Sequence, residues 1–233
     1  MRRMEIPYKV VYRKVKYPRL EFKGLQLLVI LPPEINDPSK IIEKGRAWIQ
    51  KKWNMIQEVM KQVGDQKDFM IFGETYMIED IMTGESRISY TEKKIYLNHE
   101  DPKQYKRIFN QLKKLLKIKV KSIIGEYTVK FRLKPNKVFI KRQQTKWGSC
   151  SSKGNIALNL KLVCLPEQML RYVIFHELTH LKYKRHNQAF WHTISQEFPN
   201  YKEQEQKLFK YWFVTEMLFQ NLTKHTYRTV YNI

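Results

Sequence analysis

The chain has 233 residues, 42% hydrophobic and 13% aromatic, which excludes a disordered protein and provides a core for one large domain or two small ones. Its 44 Lys and Arg against 22 Asp and Glu give a formal charge of +22, so anionic partners are expected, although a merely solubilising basic surface has the same composition. Cys150 and Cys164 form no disulfide framework and suit a reducing cytoplasm, the start has no signal-peptide apolar region, and the longest apolar run, Leu25 to Leu31, is too short to span a bilayer.

Residues 6–17 mix β-branched and aromatic residues with lysine and read as a strand region. Residues 20–31 read as a second, stopped by Pro32-Pro33. A helix is predicted from about Asp37 to Val63, with Asp37 as N-cap and Pro38 at its first position. Ile41, Ile42, Trp48, Ile49, Trp53, Ile56 and Met60 form its apolar stripe, with the tryptophans expected in the core. Short strands follow between Phe69 and Leu97, with turns at Gly73-Glu74 and Thr83-Gly84-Glu85.

A long helix is predicted from about Pro102 to Leu133. Its tract from Lys113 to Lys121 is basic and amphipathic, either a solvated face or a grip on phosphates. Strands at 137–141 and 155–160 flank a turn-rich link, Trp147 to Gly154. Helices are then predicted at 166–182, from about Gln188 to Glu197, and from about Tyr201 to Leu222. No internal repeat is visible. The fold class is α+β: a strand-rich region with one long helix over residues 1–100, then a mainly helical half over 101–233 with a small sheet.

The helix at 166–182 carries His176-Glu177-Leu178-Thr179-His180. Histidines four apart stand one turn above each other on one helix face, where two imidazoles can share a zinc ion. Glu177, beside the first, can take a proton from a water that the metal activates. Leu170, Val173, Ile174, Leu178 and Leu181 recur at helical spacing and hold the other face to a core. A third ligand at His186 would leave one coordination position open, the layout of a catalytic site. His192 is a rival ligand by position and reads more simply as a surface or packing histidine; Cys150 reads as a small buried thiol.

Several further segments sit around that motif: Lys146-Trp147-Gly148-Ser149-Cys150-Ser151-Ser152, Gly154-Asn155, the alternation Leu158-Asn159-Leu160, Leu165-Pro166, and Phe190-Trp191. Together they resemble the YgjP-like metallopeptidase family, related to the SprT-like zinc proteases. The most specific block runs from Arg142 to Trp191, and the resemblance covers most of the chain. It implies a zincin-like catalytic half, Zn2+ held by His176, His180 and His186, Glu177 as general base, and a polypeptide substrate. The resemblance also admits two other activities: a metal-dependent nucleoside triphosphate pyrophosphatase acting on an anionic nucleotide, and, through the SprT-like relatives, a nucleic-acid-associated protease. Arg142, Trp147 and Tyr183 are candidates for contacting substrate, and Arg142, Lys146 and Tyr183 for stabilising an oxyanion. The metzincin pattern has glycine midway between its second and third histidines; here that position is Tyr183, so no metzincin turn is expected.

Overall fold

The computed structural model describes residues 6–23, 26–63, 68–98, 100 and 103–228, without the side chains of residues 23, 59, 60, 62, 63 and 224–228. The amino-terminal residues 1–5, Leu25, the Met60 side chain and Pro102, each part of a sequence expectation, lie outside the described residues. Contacts divide the chain into two compact units, Met1–Gly64 and Asp65–Ile233. The strands between 68 and 97 lie in the second unit and share its core.

The first unit holds β1 (Tyr8–Tyr12), β2 (Arg19–Lys23) and β3 (Gln26–Leu31) in the order β1-β3-β2. The second expected strand region is thus two strands. Central β3 is parallel to β1 and antiparallel to β2, and it buries Leu27 through Leu31, as a strand covered on both faces does. The single helix expected after Pro32-Pro33 is two, α1 (Ser39–Lys44) and α2 (Arg46–Val63). They break at Gly45, where a β-carbon would lie 2.2 Å from the Leu20 side chain. Pro38 caps α1 rather than opening it, and the Asp37 carboxylate accepts the Ser39 N–H at 2.9 Å. In α2, Ile49 and Ile56 are buried, whereas Trp48 is 40% exposed. Trp48 and Trp53 lean on Phe22 with ring centroids 5.8 and 6.3 Å away, so the indoles flank the core instead of filling it.

The second unit opens with β4 (Asp68–Ile71), β5 (Glu74–Asp80), β6 (Arg87–Ser89) and β7 (Lys94–Leu97), in the order β4-β5-β7-β6. The β4–β5 turn is Phe72-Gly73, not Gly73-Glu74. Both residues have positive φ (51° and 85°), as a two-residue hairpin loop requires. Phe72 N–H donates to the Val163 carbonyl at 2.7 Å, and a β-carbon on Gly73 would lie 3.1 Å from Pro166 Cα. The hairpin tip therefore rests on the segment that leads into the motif helix.

Helix α3 (Lys103–Phe131) buries Tyr105, Ile108, Leu112, Leu116, Val120, Ile123 and Tyr127, at steps of three and four residues. Lys113, Lys114, Lys117 and Lys121 lie on its exposed side. The helix stops at Arg132, which takes a positive φ of 56°. Three strands follow, β8 (Val138–Lys141), β9 (Gly148–Cys150) and β10 (Ile156–Asn159), in the order β8-β10-β9. The stretch read as a turn-rich link thus contains a strand. Gly-Ser-Cys has little intrinsic strand preference, and β9 exists because Gly148 to Cys150 pair antiparallel with Leu158 to Ile156.

A 3-10 helix over Leu160–Cys164 leads to α4 (Glu167–Thr179), α5 (Gln188–Glu197) and α6 (Tyr201–Arg228). Helix α4 carries the motif and is buried nearly all round, with Leu170, Ile174, Phe175 and Leu178 fully covered. Phe175 packs on Tyr127 of α3, centroids 4.9 Å apart. Glu167, in the first turn of α4, is bound by Lys119 of α3 at 2.6 Å and by Arg171 at 3.0 Å, which fixes the helix end against α3. The architecture is α+β. Among the described residues, no helix is long and apolar enough to cross a membrane.

Candidate metal centre

His176 projects from the last turn of α4 and His180 from its C-cap, and His186 follows from the loop before α5. Their imidazoles converge: His186 Nε2 lies 3.1 Å from His176 Nε2 and 3.0 Å from His180 Nε2. An ion held tetrahedrally at a zinc–nitrogen distance keeps ligand nitrogens roughly 3.3 Å apart, so the cluster fits a small divalent cation with little adjustment. Among the described residues these three form the one cluster of metal-capable side chains. His192 stands apart, exposed beside Gln196, and Cys150 is outside the cluster with its thiol on the Ser151 carbonyl.

The chain brings His186 round without a left-handed glycine. Past α4, Leu181, Lys182 and Tyr183 close successive turns onto Leu178 and Thr179, at 2.9 to 3.1 Å. The Tyr183 carbonyl then takes the His180 Nδ1–H at 3.0 Å, which fixes the tautomer and leaves Nε2 free to face the cluster. Tyr183 therefore contributes through its backbone. Asn187, directly after His186, caps α5 by accepting the Phe190 N–H at 2.9 Å.

Phe190 lies beneath all three imidazoles, with centroids 5.0, 4.8 and 4.6 Å from His176, His180 and His186. It is fully buried, and Trp191 beside it stacks on Tyr201. In these surroundings the His176 pKa is pushed down to about 3, chiefly by burial and then by the neighbouring imidazoles. Burial also lowers the His180 pKa, partly offset by its bond to Tyr183. Neutral imidazoles are the form that binds a metal.

Glu177 points into the protein and is 7% exposed. It packs against β9 at Gly148, where a β-carbon would meet its Cγ, Oε1 and Cδ at 2.7, 2.8 and 2.9 Å. No other residue type leaves room for the carboxyl there. Burial raises the Glu177 pKa to about 7, and the charge of Lys146 opposes that rise.

A cleft of about 360 Å³ opens on this carboxyl. Lys146, Trp147 and Gly148 form one wall, Tyr172, Val173 and His176 another, and Glu205, Leu208 and Phe209 of α6 the third. Lys146 and Trp147 thus reach the site, whereas Arg142 does not: it lies over the Phe109 ring at 4.7 Å. The loop bearing Lys146 is tied by buried Asn159, whose amide donates to the carbonyls of Gln143 and Lys146 at 2.9 and 2.8 Å. Trp147 packs edge-on against Trp212, 5.0 Å away, and Trp212 in turn lies under the Lys161 ammonium.

Sequence reasoning missed Tyr172, Glu205, Leu208, Phe209, Asn159 and the role of Phe190. Glu205 sits in a run of Glu, Gln and Lys that reads as solvated helix, and nothing local marks it. Asn159 carried a usable signal, a polar residue between two leucines in a strand otherwise buried.

Three clustered imidazoles with a buried acid beside them and a cleft in front can hold a divalent ion next to a proton acceptor. Residues 16–211 match the YgjP-like, metallopeptidase domain family, and the chain belongs to that family. Among solved structures, the metallopeptidase zymogen abylysin of Pyrococcus abyssi is similar, with 25% identity and a TM-score of 0.36 over 38% of this chain and 90% of its own. The zymogen jannalysin of Methanocaldococcus jannaschii is similar to the same degree, with 27% identity and a TM-score of 0.35 over 38% of this chain and 86% of its own. No curated protein matches the chain.

Proposed function

We propose that the protein is a zinc-dependent endopeptidase or exopeptidase in which His176, His180 and His186 hold the metal and Glu177 is the general base. The observation that carries this reading is the convergence of three Nε2 atoms, at 3.0 and 3.1 Å, one residue along the helix from a buried carboxyl. Three neutral imidazoles suit zinc, which when bound would supply a Lewis acid and lower the pKa of water. Glu177 accepts a proton from the attacking water and returns it to the leaving amine. Its pKa of about 7 suits both steps at neutral pH, and a divalent ion on the adjacent imidazoles draws it lower, towards the ionised base. Gly148 holds that carboxyl in place from the opposite side.

Trp147, Leu208, Phe209 and Val173 give the cleft apolar walls, and low-polarity surroundings strengthen electrostatic contacts made against them. Lys146, exposed at its mouth and felt by Glu177, is suited to stabilising negative charge on a substrate carbonyl. Glu205 faces the same cleft and would repel a triphosphate, which favours a peptide over a nucleotide. Two free cysteines are compatible with the reducing cytoplasm, where we propose the protein acts.

The test is Glu177→Gln assayed on an unfolded protein substrate, with metal content measured in parallel. The variant is expected to keep its metal and lose at least ~10³-fold in turnover. Turnover near that of the parent, or hydrolysis that persists after chelation, would remove Glu177 or the metal from the reaction.

A further inference from the structure

The basic tract of α3 has a structural counterpart that the metal centre does not use. A trough of about 580 Å³ runs between α3 and β8, remote in sequence from the motif helix. Its floor is apolar, formed by Val120, Ile124 and β8. Its rim carries Lys113, Lys117 and Lys121 on α3 and Lys141 at the end of β8. Among the described residues, none of these lysines forms an ion pair, so four ammonium groups border an apolar floor without counter-charges.

The trough follows the edge of the strand. Successive β8 side chains point to opposite faces, and Val138, Phe139, Ile140 and Lys141 all line the trough, as they do where the strand backbone forms part of its wall. In the order β8-β10-β9, β8 has β10 as its strand partner on one side only. The other side offers peptide N–H and C=O groups to whatever occupies the trough. Four strand residues span ~13 Å and the α3 wall from Lys113 to Ile124 spans ~16 Å, room for a short extended segment. Lysines four apart on α3 rise ~6 Å from one to the next, and alternate side chains of an extended chain recur every ~7 Å. Carboxylates at every second position would therefore meet them in sequence.

We infer that this trough docks an extended polypeptide segment that alternates apolar and acidic residues, pairing with β8 as an added strand. Apolar side chains fill the floor, carboxylates face the lysines, and main-chain hydrogen bonds come from the strand edge. A fatty chain would fill the floor but leave the edge unpaired. A nucleic acid would meet the lysines but bury bases against a largely aliphatic surface.

The experiment is fluorescence anisotropy with a labelled heptapeptide alternating Val and Glu, using the full chain carrying Glu177→Gln so that the peptide is not consumed. Two comparison peptides are the same sequence with alternate backbone nitrogens methylated, and one alternating Val and Lys. The Val-Glu peptide is expected to bind at least tenfold more tightly than either. The triple substitution Lys113→Glu, Lys117→Glu and Lys121→Glu is expected to reverse the preference between acidic and basic peptides. Equal affinity for the methylated peptide would overturn the strand-addition proposal without depending on the lysine substitutions. Unchanged preference in the triple variant, once circular dichroism shows it folded, would overturn the role of the lysines. Displacement of the Val-Glu peptide by an equimolar uridine oligonucleotide would overturn the assignment in favour of nucleic acid.

Discussion

The contact between Glu177 and Gly148 links residues 29 positions apart and decides where the proposed base stands. Adding one methyl there forces the carboxyl aside, since contacts of 2.7 to 2.9 Å cannot persist with a β-carbon. Gly148→Ala is expected to lower kcat about 100-fold while metal content stays at the parent level. Stability should fall by about 1–3 kcal/mol, the usual range for overpacking. Metal stoichiometry measured beside turnover checks this, and an unaltered kcat would show that the carboxyl is not positioned by that glycine. The two histidines and the glutamate of α4 were legible because their relation is set by helical spacing alone. Gly148 was visible only as part of a motif, because the atom that excludes a side chain there comes from a distant element. Glu205 is the same case without a motif: its place beside Tyr172 depends wholly on how α6 crosses α4.

At the scale of elements, α5 begins two residues after His186, and its Asn187 cap anchors the loop from which that imidazole projects. Asn187→Ala removes the acceptor for the Phe190 N–H, an expected loss of about 1 kcal/mol in stability. Because Phe190 underlies the three rings, we also expect metal affinity to weaken by roughly tenfold, as for other supporting contacts around metal ligands. Competition titration against a chromogenic chelator reads this directly; an affinity equal to the parent's would confine the cap to a role in stability. Helices α3, α4 and α5 were readable in sequence because periodicity and caps are local. The break between α1 and α2 was not, because Gly45 answers to Leu20 on a neighbouring strand. Strand β9 was not, because three small residues become a strand only through β10.

For the molecule as a whole, metal binding and folding are linked. An ion that binds only the folded form at 1,000 times its Kd adds about 4 kcal/mol, or roughly 10 °C in Tm for a chain of this size. Chelation is expected to lower Tm by that order, checked by differential scanning calorimetry before and after metal is restored. In the metal-free protein two neighbouring groups act with opposite sign. The Glu177 pKa is raised to about 7, so its contribution to stability grows as pH falls from 7 towards 4.5. The His176 pKa is depressed to about 3, so its contribution is lost as pH falls below 6.5. The two nearly cancel between pH 7 and 5 in the parent. Metal-free Glu177→Gln keeps the contribution of His176, to which the lowered His180 pKa adds with the same sign, and is expected to lose on the order of 2 kcal/mol or more across that interval.

Two of the bends in the four-stranded sheet, at Gly73 and Gly84, differ in what lies beyond them. Around Gly84 a β-carbon would meet nothing within 4 Å, whereas at Gly73 it would meet the backbone of Pro166 at 3.1 Å. Extra residues or a reporter tag spliced in at Gly84 would hang in solvent. The same insertion at Gly73 would wedge against the root of the helix that carries His176 and His180, and so misalign a centre whose own residues were left untouched.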